Sequence, residues 1–566
     1  MTAQERERIV SNDYADLLIA YSGDTSVFAN FKDATVQILN YYDAVVRVPV
    51  SQITDNTITK LGYSVMPSLY GMISQASLEA SGITRIRSIP NFNLRGQGVL
   101  VGIIDSGIDY TNPIFQNADK TTRITMLWDQ TIQSDNYPAG LFYGTEYTSE
   151  QINQALQSND PFSIVPSKDE VGHGTMLAGI AAGNEVQASG FSGVAPDSQL
   201  IVVKLKTAKT YLKDFFRVPQ SVICYQENDI IVAADYVMRT AFNLNKPIAL
   251  CIALGTSQGA HDGRGTLSSL LSLRSQTSGV AILIAGGNEG NARRHYYGVI
   301  DAVTGYNTVE LDIGANESGF SMEIWGDSPG VFSLDITTPS GEYVPRIEAR
   351  LDESREVTFI FEPTRIVIDF QMVESQSGDQ LILLRFTNPS EGIWKFNIYG
   401  RGELSKGFNI WLPMSGFISD NTFFVHSNPN TTILSIGNSA DPITVTAYNV
   451  ADDSLYINAS RGYSRNGTVK PEIAAPGVNI QSPTLDQGFT EVSGTSASAA
   501  HTTGVAAMLL EWGIVKGNYP SMNTVDMKVF MIRGARRDTN RKYPNPDWGY
   551  GILDVYNIFN ALRGST

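Results

Sequence analysis

The chain has 566 residues, a formal net charge of −16 and an isoelectric point of about 4.8. An acidic surface argues against nucleic acid as a partner, because phosphate binding needs clustered lysine and arginine. No apolar run approaches the roughly 18 residues of a transmembrane helix, and two cysteines are too few for a disulfide framework. The length predicts several domains, and 42% hydrophobic residues suffice for their cores.

The first 71 residues predict a small α+β unit. Its three strands are followed by a short helix over 51–61, which Ser51 is expected to begin. An extended, proline-containing tail over 62–72 comes next, and then a helix-like stretch over 74–80. The strands are expected over 14–21, 34–39 and 44–50.

Three glycine-rich segments carry an Asp, a His and a Ser in that order. Asp105 ends the apolar run 99–104, which predicts a buried parallel strand. His173 and Ser496 each precede a stretch of small and apolar residues that predicts a buried helix. Each segment alone also fits a purely structural turn or helix start. Together they predict a hydrolytic triad of nucleophile, base and orienting acid in one of its known chain orders.

A fourth segment supplies a candidate hydrogen-bond donor for this chemistry. The run 281–285 predicts a strand, and Asn288 follows it after two glycines. A side-chain amide there suits an oxyanion hole, although Asn is also a common turn residue. A further strand is expected over 248–255, and it ends in a glycine.

The stretch 301–428 has a different pattern of apolar and polar residues from the rest of the chain. Segments that largely alternate apolar and polar residues recur there, with Gly, Pro, Asn and Ser between them. This pattern predicts an antiparallel sandwich of the jelly-roll kind, inserted between the Asn288 and Ser496 segments. Such a domain either binds carbohydrate or partner molecules or packs against the rest of the chain to stabilise it.

The four segments closely resemble those of the subtilase (subtilisin-like serine protease) family, as does the Pro-containing stretch 470–477. The resemblance covers most of 76–300 and 430–560. It implies an α/β fold, a subtilisin-like parallel sheet sandwiched by helices. It also implies that Asp105, His173 and Ser496 are catalytic and that Asn288 lines the oxyanion hole. Three positions depart from the usual family residues and bear on packing: Met176, Ala497 and Ala500.

In that family the extended substrate pairs with the sheet edge formed by the strand over 248–255. The same resemblance places five small or apolar residues in the first substrate pocket. It also implies that the N-terminal α+β unit is a propeptide whose tail crosses the active site and is cut within Pro67–Gln75; the alternative is an accessory domain. The pocket residues are Ala253, Leu254, Gly255, Ala285 and Gly287.

Within the family, this architecture most resembles the Csp proteases of clostridia, which cleave the proform of a spore cortex-lytic enzyme during germination and tend to retain their propeptide. The start of the chain lacks the basic and apolar stretches of a signal peptide. We therefore expect a cytoplasmic or spore-associated protein, with secretion by another route left open. The expected domains are a propeptide over 1–71, a catalytic domain over 72–300 and 429–566, and the inserted domain over 301–428.

The expected reaction is hydrolysis of peptide bonds, first in the propeptide and then in a protein or peptide substrate. Two alternatives remain open, a broad peptide-processing or leader peptidase and a regulatory protease-like protein silenced by its bound propeptide. No cofactor is expected. Calcium occurs in the family, but no loop here has an assignable ligand spacing. The oligomeric state is not indicated.

Overall fold

The computed structural model describes residues 1–73, 93–351, 353–401 and 407–562. The helix-like stretch expected over 74–80 lies outside these residues. The N-terminal unit contains α1 (Ala3–Val10), β1 (Tyr14–Ala20), β2 (Thr35–Ile38), β3 (Asp43–Pro49), α2 (Thr57–Leu61) and β4 (Leu69–Met72). An antiparallel sheet in the order β1-β3-β2 forms its centre.

Two features of this unit differ from the sequence-based expectation. Helix α1 was not anticipated, although Thr2 and Glu5 form a capping box at its start. The helix expected over 51–61 is interrupted, with a single 3₁₀ turn at Val50–Gln52 and then α2. The side chain of Thr57 accepts a hydrogen bond from the Thr54 N–H at 2.8 Å, and this local bond competes with a continuous helix.

The first part of the catalytic region alternates strands and helices, as a parallel sheet requires. Its strands are β5 (Leu100–Asp105), β6 (Ile124–Asp129), β7 (Thr145–Thr148), β8 (Gln199–Lys204), β9 (Tyr225–Gln226), β10 (Ile248–Ile252), β11 (Leu254–Gly255) and β12 (Val280–Ala285). Its helices are α3 (Ser149–Gln157), α4 (His173–Ala182), α5 (Thr210–Phe216), α6 (Glu227–Asn243) and α7 (Thr266–Ser275).

The next stretch consists of strands that form two antiparallel sheets. They are β13 (His295–Val299), β14 (Tyr306–Ile313), β15 (Gly319–Gly326), β16 (Val331–Thr337), β17 (Tyr343–Ile347), β18 (Glu353–Thr358), β19 (Arg365–Gln371), β20 (Gln380–Thr387), β21 (Gly392–Arg401), β22 (Gly407–Trp411) and β23 (Phe423–Phe424). One sheet has the order β13-β22-β15-β20-β19-β18 and the other β17-β16-β21-β14-β23. Apolar side chains from both sheets form one buried core. That this sandwich is an inserted jelly-roll domain stays a prediction.

The chain then returns to the first sheet. This last part contains β24 (Ile443–Asn449), β25 (Ser454–Leu455), β26 (Ile473–Pro476), β27 (Ile480–Pro483), β28 (Phe489–Val492), α8 (Thr495–Leu510), α9 (Thr524–Gly534) and α10 (Val555–Leu562). The central sheet runs β25-β24-β12-β10-β5-β8-β6-β7, and β26 pairs with β24. It is mixed, because β7 and β25 are antiparallel to their neighbours while the strands between them are parallel.

Helices cover both faces of this sheet. Helices α4 and α8 belong to the apolar core on one face, and α6 and α7 to the core on the other. The pair α4 and α8 packs closely at Gly504, where an added Cβ would lie 2.4 Å from Cβ of Val194 and 2.8 Å from the Ala181 carbonyl oxygen. Gly504 comes eight residues after Ser496 and Ala181 eight residues after His173, so this contact joins the two helices that begin at these residues.

Candidate active site

The three candidate catalytic residues lie at the junctions that the sequence predicted. Asp105 ends β5 and is fully buried, and its Oδ1 accepts hydrogen bonds from the Ser106 N–H at 2.7 Å and from His173 Nδ1 at 2.8 Å. His173 is the first residue of α4, and Ser496 is the second residue of α8. Ser496 Oγ is buried and has no hydrogen-bond partner among the described residues.

Local glycines permit these positions. Gly172, which precedes α4, has φ +87°, and Gly494, which precedes α8, has φ +147°, values that side chains rarely tolerate. A Cβ on Gly174 would lie 2.1 Å from the Gly107 carbonyl oxygen. The loop after β5 and the start of α4 therefore touch through their backbones, and this contact holds Asp105 beside His173.

Asn288 is tied to the segment that carries Ser496. Its Oδ1 accepts hydrogen bonds from the N–H of Thr495 at 3.1 Å and from the Thr495 hydroxyl at 3.2 Å. The Thr495 hydroxyl in turn accepts the Gly287 N–H at 3.1 Å. These bonds fix the amide so that its oxygen end faces Thr495 and its Nδ2 donors form the opposite end. The backbone N–H of Ser496 is one of the first four of α8, which have no partner within the helix.

The cleft beside these residues is occupied by the chain's own strand β4. It lies between β11 and β9 in a three-stranded antiparallel sheet. Its Gly71 and Met72 pair with Gly255 and Leu254, and the N–H of Ile73 donates to the Ala253 carbonyl oxygen at 3.2 Å. The Ile73 carbonyl oxygen lies 2.7 Å from Nε2 of His173. The residue that follows β4 thus contacts the candidate base.

The contacts of His173 determine its charge. Burial alone would lower the pKa of His173, but the Asp105 charge and the hydrogen bonds to both ring nitrogens outweigh it, and the pKa lies above its ordinary value. With an oxygen atom at each nitrogen, the ring is suited to the protonated form, which donates to both Asp105 and Ile73. The nitrogen that a serine hydroxyl would need is occupied by Ile73.

Comparison with known proteins identifies the family. The family model of the subtilases matches residues 96–317 and 401–552, which together exceed half of the chain. The chain belongs to the subtilase family. Its structure resembles that of the CspB protease of Clostridium perfringens with a TM-score of 0.76 and 29% identity, over 86% of this chain and 98% of that one.

Curated relatives are more distant from this subtilase. The PI-type proteinase of Lactococcus lactis subsp. cremoris is 23% identical over 76% of this chain, and subtilisin-like protease SBT1.9 of Arabidopsis thaliana is 23% identical over 73% of it. The chain spans only 23% of the length of the first relative and 57% of the second. The family thus agrees with the resemblance inferred from the sequence motifs.

Leu434, which the sequence did not indicate, lies beside two of the residues expected in the first substrate pocket. A Cβ on Gly255 would lie 3.0 Å from Cδ1 of Ile73 and 2.3 Å from Cδ1 of Leu434. A Cβ on Gly287 would lie 2.7 Å from Cγ of Leu434. Leu434 therefore packs against both pocket glycines. Ala285 lies at the end of β12, paired with β24, and its place in the pocket stays a prediction.

Asp169 is a second residue that sequence reasoning missed. Its carboxylate accepts hydrogen bonds from the Ser106 hydroxyl and from the Gly172 N–H at 2.9 and 2.8 Å, and from the N–H and hydroxyl of Thr175 at 3.0 and 2.7 Å. It therefore joins the loop that follows Asp105 to the first turn of α4. The only available signal was an Asp four residues before His173.

The described residues contain no cluster of three or more His, Cys, Asp and Glu that could hold a metal ion. Two other histidines have packing contacts, since His261 and His295 stack on Trp411 with ring centroids 4.1 and 4.9 Å apart. Both cysteines are free and buried. In the part of the chain that the structure describes, no helix has the length and apolar character that a bilayer crossing needs.

Proposed function

We propose that this subtilase is a serine endopeptidase in which Ser496 is the nucleophile, His173 the base and Asp105 the group that orients the imidazole. The observation that carries the proposal is the 2.8 Å bond between Asp105 and His173, in a cleft where Ile73, next to the bound strand β4, contacts His173. Once the Nε2 contact of His173 with Ile73 is released, the ring is able to accept the serine proton.

The reaction then follows from the positions of these groups. Ser496 Oγ bonds to the peptide carbonyl carbon while its proton passes to Nε2 of His173, and an oxyanion forms on the carbonyl oxygen. The Ser496 N–H and the Asn288 amide stabilise this charge. Protonated His173 gives its proton to the leaving amine as the C–N bond breaks. Water then hydrolyses the acyl-enzyme by the same steps, which restores the Ser496 hydroxyl.

The first substrate is the chain itself, and the bond cut is that between Ile73 and Ser74. Strand β4 pairs with β11 and β9 as an extended substrate would, and Ile73, which follows it, supplies both the N–H bound by the Ala253 carbonyl oxygen and the carbonyl oxygen at His173. This position lies within the range Pro67–Gln75 that the sequence suggested for cleavage. Residues 1–73 are thus the propeptide.

The propeptide stays bound after the cut and silences the site until it is displaced. Its Asp16 is fully buried and pairs with Arg47 at 3.0 Å and with Lys209 of the catalytic region at 3.1 Å. Separation of the two parts would leave the buried Lys209 without its carboxylate partner, which is costly. The contact of Ile73 with His173 favours this silenced state, which is also the state of a regulatory protease-like protein.

A protein proform is the substrate of the mature enzyme. The supporting observation is the likeness to the CspB protease of Clostridium perfringens over nearly the whole of that chain. By resemblance to the Csp group, the proform is that of a spore cortex-lytic enzyme and the reaction belongs to germination. A purified proform that stays intact with the propeptide-free enzyme would contradict this assignment.

The proposal is tested by the intact mass of the purified wild type beside Ser496→Ala. We expect the wild type to yield a fragment of residues 1–73, and Ser496→Ala to stay whole. Ser498→Ala is the matched control, because the Ser498 hydroxyl only bonds the Ala475 and Pro476 carbonyl oxygens and processing should continue. A wild type that stays whole and is not labelled by a fluorophosphonate probe would favour the regulatory alternative.

A further inference from the structure

One glycine of the cleft-bound strand is closely covered by two other side chains. Gly71 is the third residue before the proposed scissile bond, and it pairs with Gly255 in the sheet of β11, β4 and β9. A Cβ built on Gly71 would lie 3.0 Å from Cε1 of Phe417, 3.1 Å from Sδ of Met414 and 3.2 Å from Cε of Met414. Each of these distances is shorter than an ordinary van der Waals contact.

The two covering side chains belong to residues 412–418, a segment between β22 and β23 of the sandwich that we call the roof. Met414 and Phe417 are 3% and 4% exposed. The Phe417 N–H donates to the Met414 carbonyl oxygen at 3.0 Å, which closes a tight turn. The roof is therefore a packed part of the molecule rather than a loose loop end.

The roof is also tied to the oxyanion segment. The N–H and the hydroxyl of Ser415 each donate to the Glu289 carboxylate at 3.1 Å. Glu289 directly follows Asn288 in the chain and lies 3.8 Å from the guanidinium of Arg294. Moving the roof outward would break these bonds and leave a buried carboxylate with fewer partners, which is unfavourable.

We expect the steric clash at position 71 to become more severe as the side chain placed there becomes larger. A methyl group meets the ends of two side chains, which need to shift by only a few tenths of an ångström. A β-branched side chain adds two more carbon atoms at the same place, where Met414 and Phe417 already fill the space. Overpacking of this kind in a filled interior is destabilising, and glycine is the residue that allows such close approach.

We propose that Met414 and Phe417 make this subtilase selective for glycine at the third residue before the scissile bond. This inference rests on the proposed function, since it takes β4 as a substrate strand. The substrate class is therefore an extended protein segment whose third residue before the cut lacks a side chain. The roof imposes this choice by exclusion, because the backbone pairing with β11 is the same for every residue.

The test follows self-processing of the full chain over time by intact mass, in wild type, Gly71→Ala and Gly71→Val. We expect Gly71→Ala to slow cleavage about threefold and Gly71→Val about 100-fold, within the range that overpacking produces. Met72→Val in the same strand is the comparison, and it should slow cleavage less than Gly71→Val, since alternate side chains point to opposite faces. Adding Met414→Ala and Phe417→Ala should restore most of the rate to Gly71→Val.

A rate for Gly71→Val equal to that of the wild type would overturn the inference and leave the proposed function standing. If the wild type itself does not cleave, the proposed function fails, and thermal unfolding in the Ser496→Ala background still tests the roof. There, Gly71→Val should lower Tm, and the added pair Met414→Ala and Phe417→Ala should reverse part of that loss. Additive effects on Tm would contradict the inference.

Discussion

At the scale of single residues, the site depends on two carboxylates with different roles. Asp105 contacts His173 directly, whereas Asp169 binds the backbone and hydroxyl groups around both and is a positioning residue. Burial lowers the pKa of His173, and the Asp105 charge raises it. The Asp169 charge adds a smaller increase to the same pKa. Charge and geometry at Asp169 are separable, because Asp169→Glu keeps the charge and Asp169→Asn removes it.

We expect Asp169→Asn to move the acid limb of the pH–rate profile of self-processing to lower pH. The neutral form of His173 is the active one, so activity rises with pH through the pKa of His173, and loss of a nearby negative charge lowers that pKa. The plateau rate should fall as well, since an amide leaves N–H donors poorly paired. Asp169→Glu should keep the limb in place, and Asp135→Asn, on an exposed side chain, should change neither quantity.

At the scale of elements, α4 and α8, which begin at the candidate base and the candidate nucleophile, pack closely against each other. Gly504 lies in the middle of α8, where Ala would favour the helix by propensity. The Cβ of Ala would nevertheless lie 2.4 Å from Cβ of Val194, in the loop after α4, and 2.8 Å from the Ala181 carbonyl oxygen of α4, which is impossible without movement of the backbone. Tertiary packing should therefore outweigh propensity at this position.

We expect Gly504→Ala to lower the free energy of unfolding by about 1–3 kcal/mol, the cost of overpacking, and to slow self-processing. Urea unfolding and the intact-mass time course measure these two effects. Gly265→Ala is the matched control, because the nearest atom to its Cβ lies 4.0 Å away. Equal stability of Gly504→Ala and the wild type would contradict close packing of α4 on α8.

At the scale of the whole molecule, buried charges join the N-terminal unit to the catalytic region. Burial by itself would raise the pKa of Asp16. The positive charges of Lys209 and Arg47 together lower it by more than burial raises it, so the pKa lies below its ordinary value. The stabilisation is therefore present above pH about 4 and is lost as pH falls through the folded-state pKa. At neutral pH the pair should hold residues 1–73 in place even after the chain is cut.

We expect Asp16→Asn to weaken this attachment by about 3–5 kcal/mol, because the buried Lys209 loses the carboxylate that it pairs with across the contact. After processing, the fragment of residues 1–73 should then separate from the remainder on size-exclusion chromatography, whereas the wild-type fragments elute together. Asp13→Asn, on an exposed residue, is the control and should leave the fragments together. Co-elution of the Asp16→Asn fragments would argue against the role given to the ion pair.

The local sequence was sufficient to predict the strands and helices that carry the site residues. It was less informative about how those strands and helices contact one another. The runs before Asp105 and Asn288 form β5 and β12, and α4 and α8 begin at the segments of His173 and Ser496. Each of these segments combines a continuous apolar run with a glycine-rich junction, so the local sequence is sufficient to predict where the strand or helix lies. The predicted helix over 51–61 was wrong in its first half, where the Thr54 N–H bonds the Thr57 hydroxyl and the α-helix begins only at Thr57.

The amino-acid sequence by itself determined the family and the candidate triad, because each catalytic segment is short and its chemistry lies in its own residues. Only the tertiary structure brought Leu434, Met414 and Phe417 to the cleft. These are ordinary apolar residues, and nothing local distinguishes them from core residues. Their role depends on which strand packs beneath them, and that is decided by contacts between segments hundreds of residues apart.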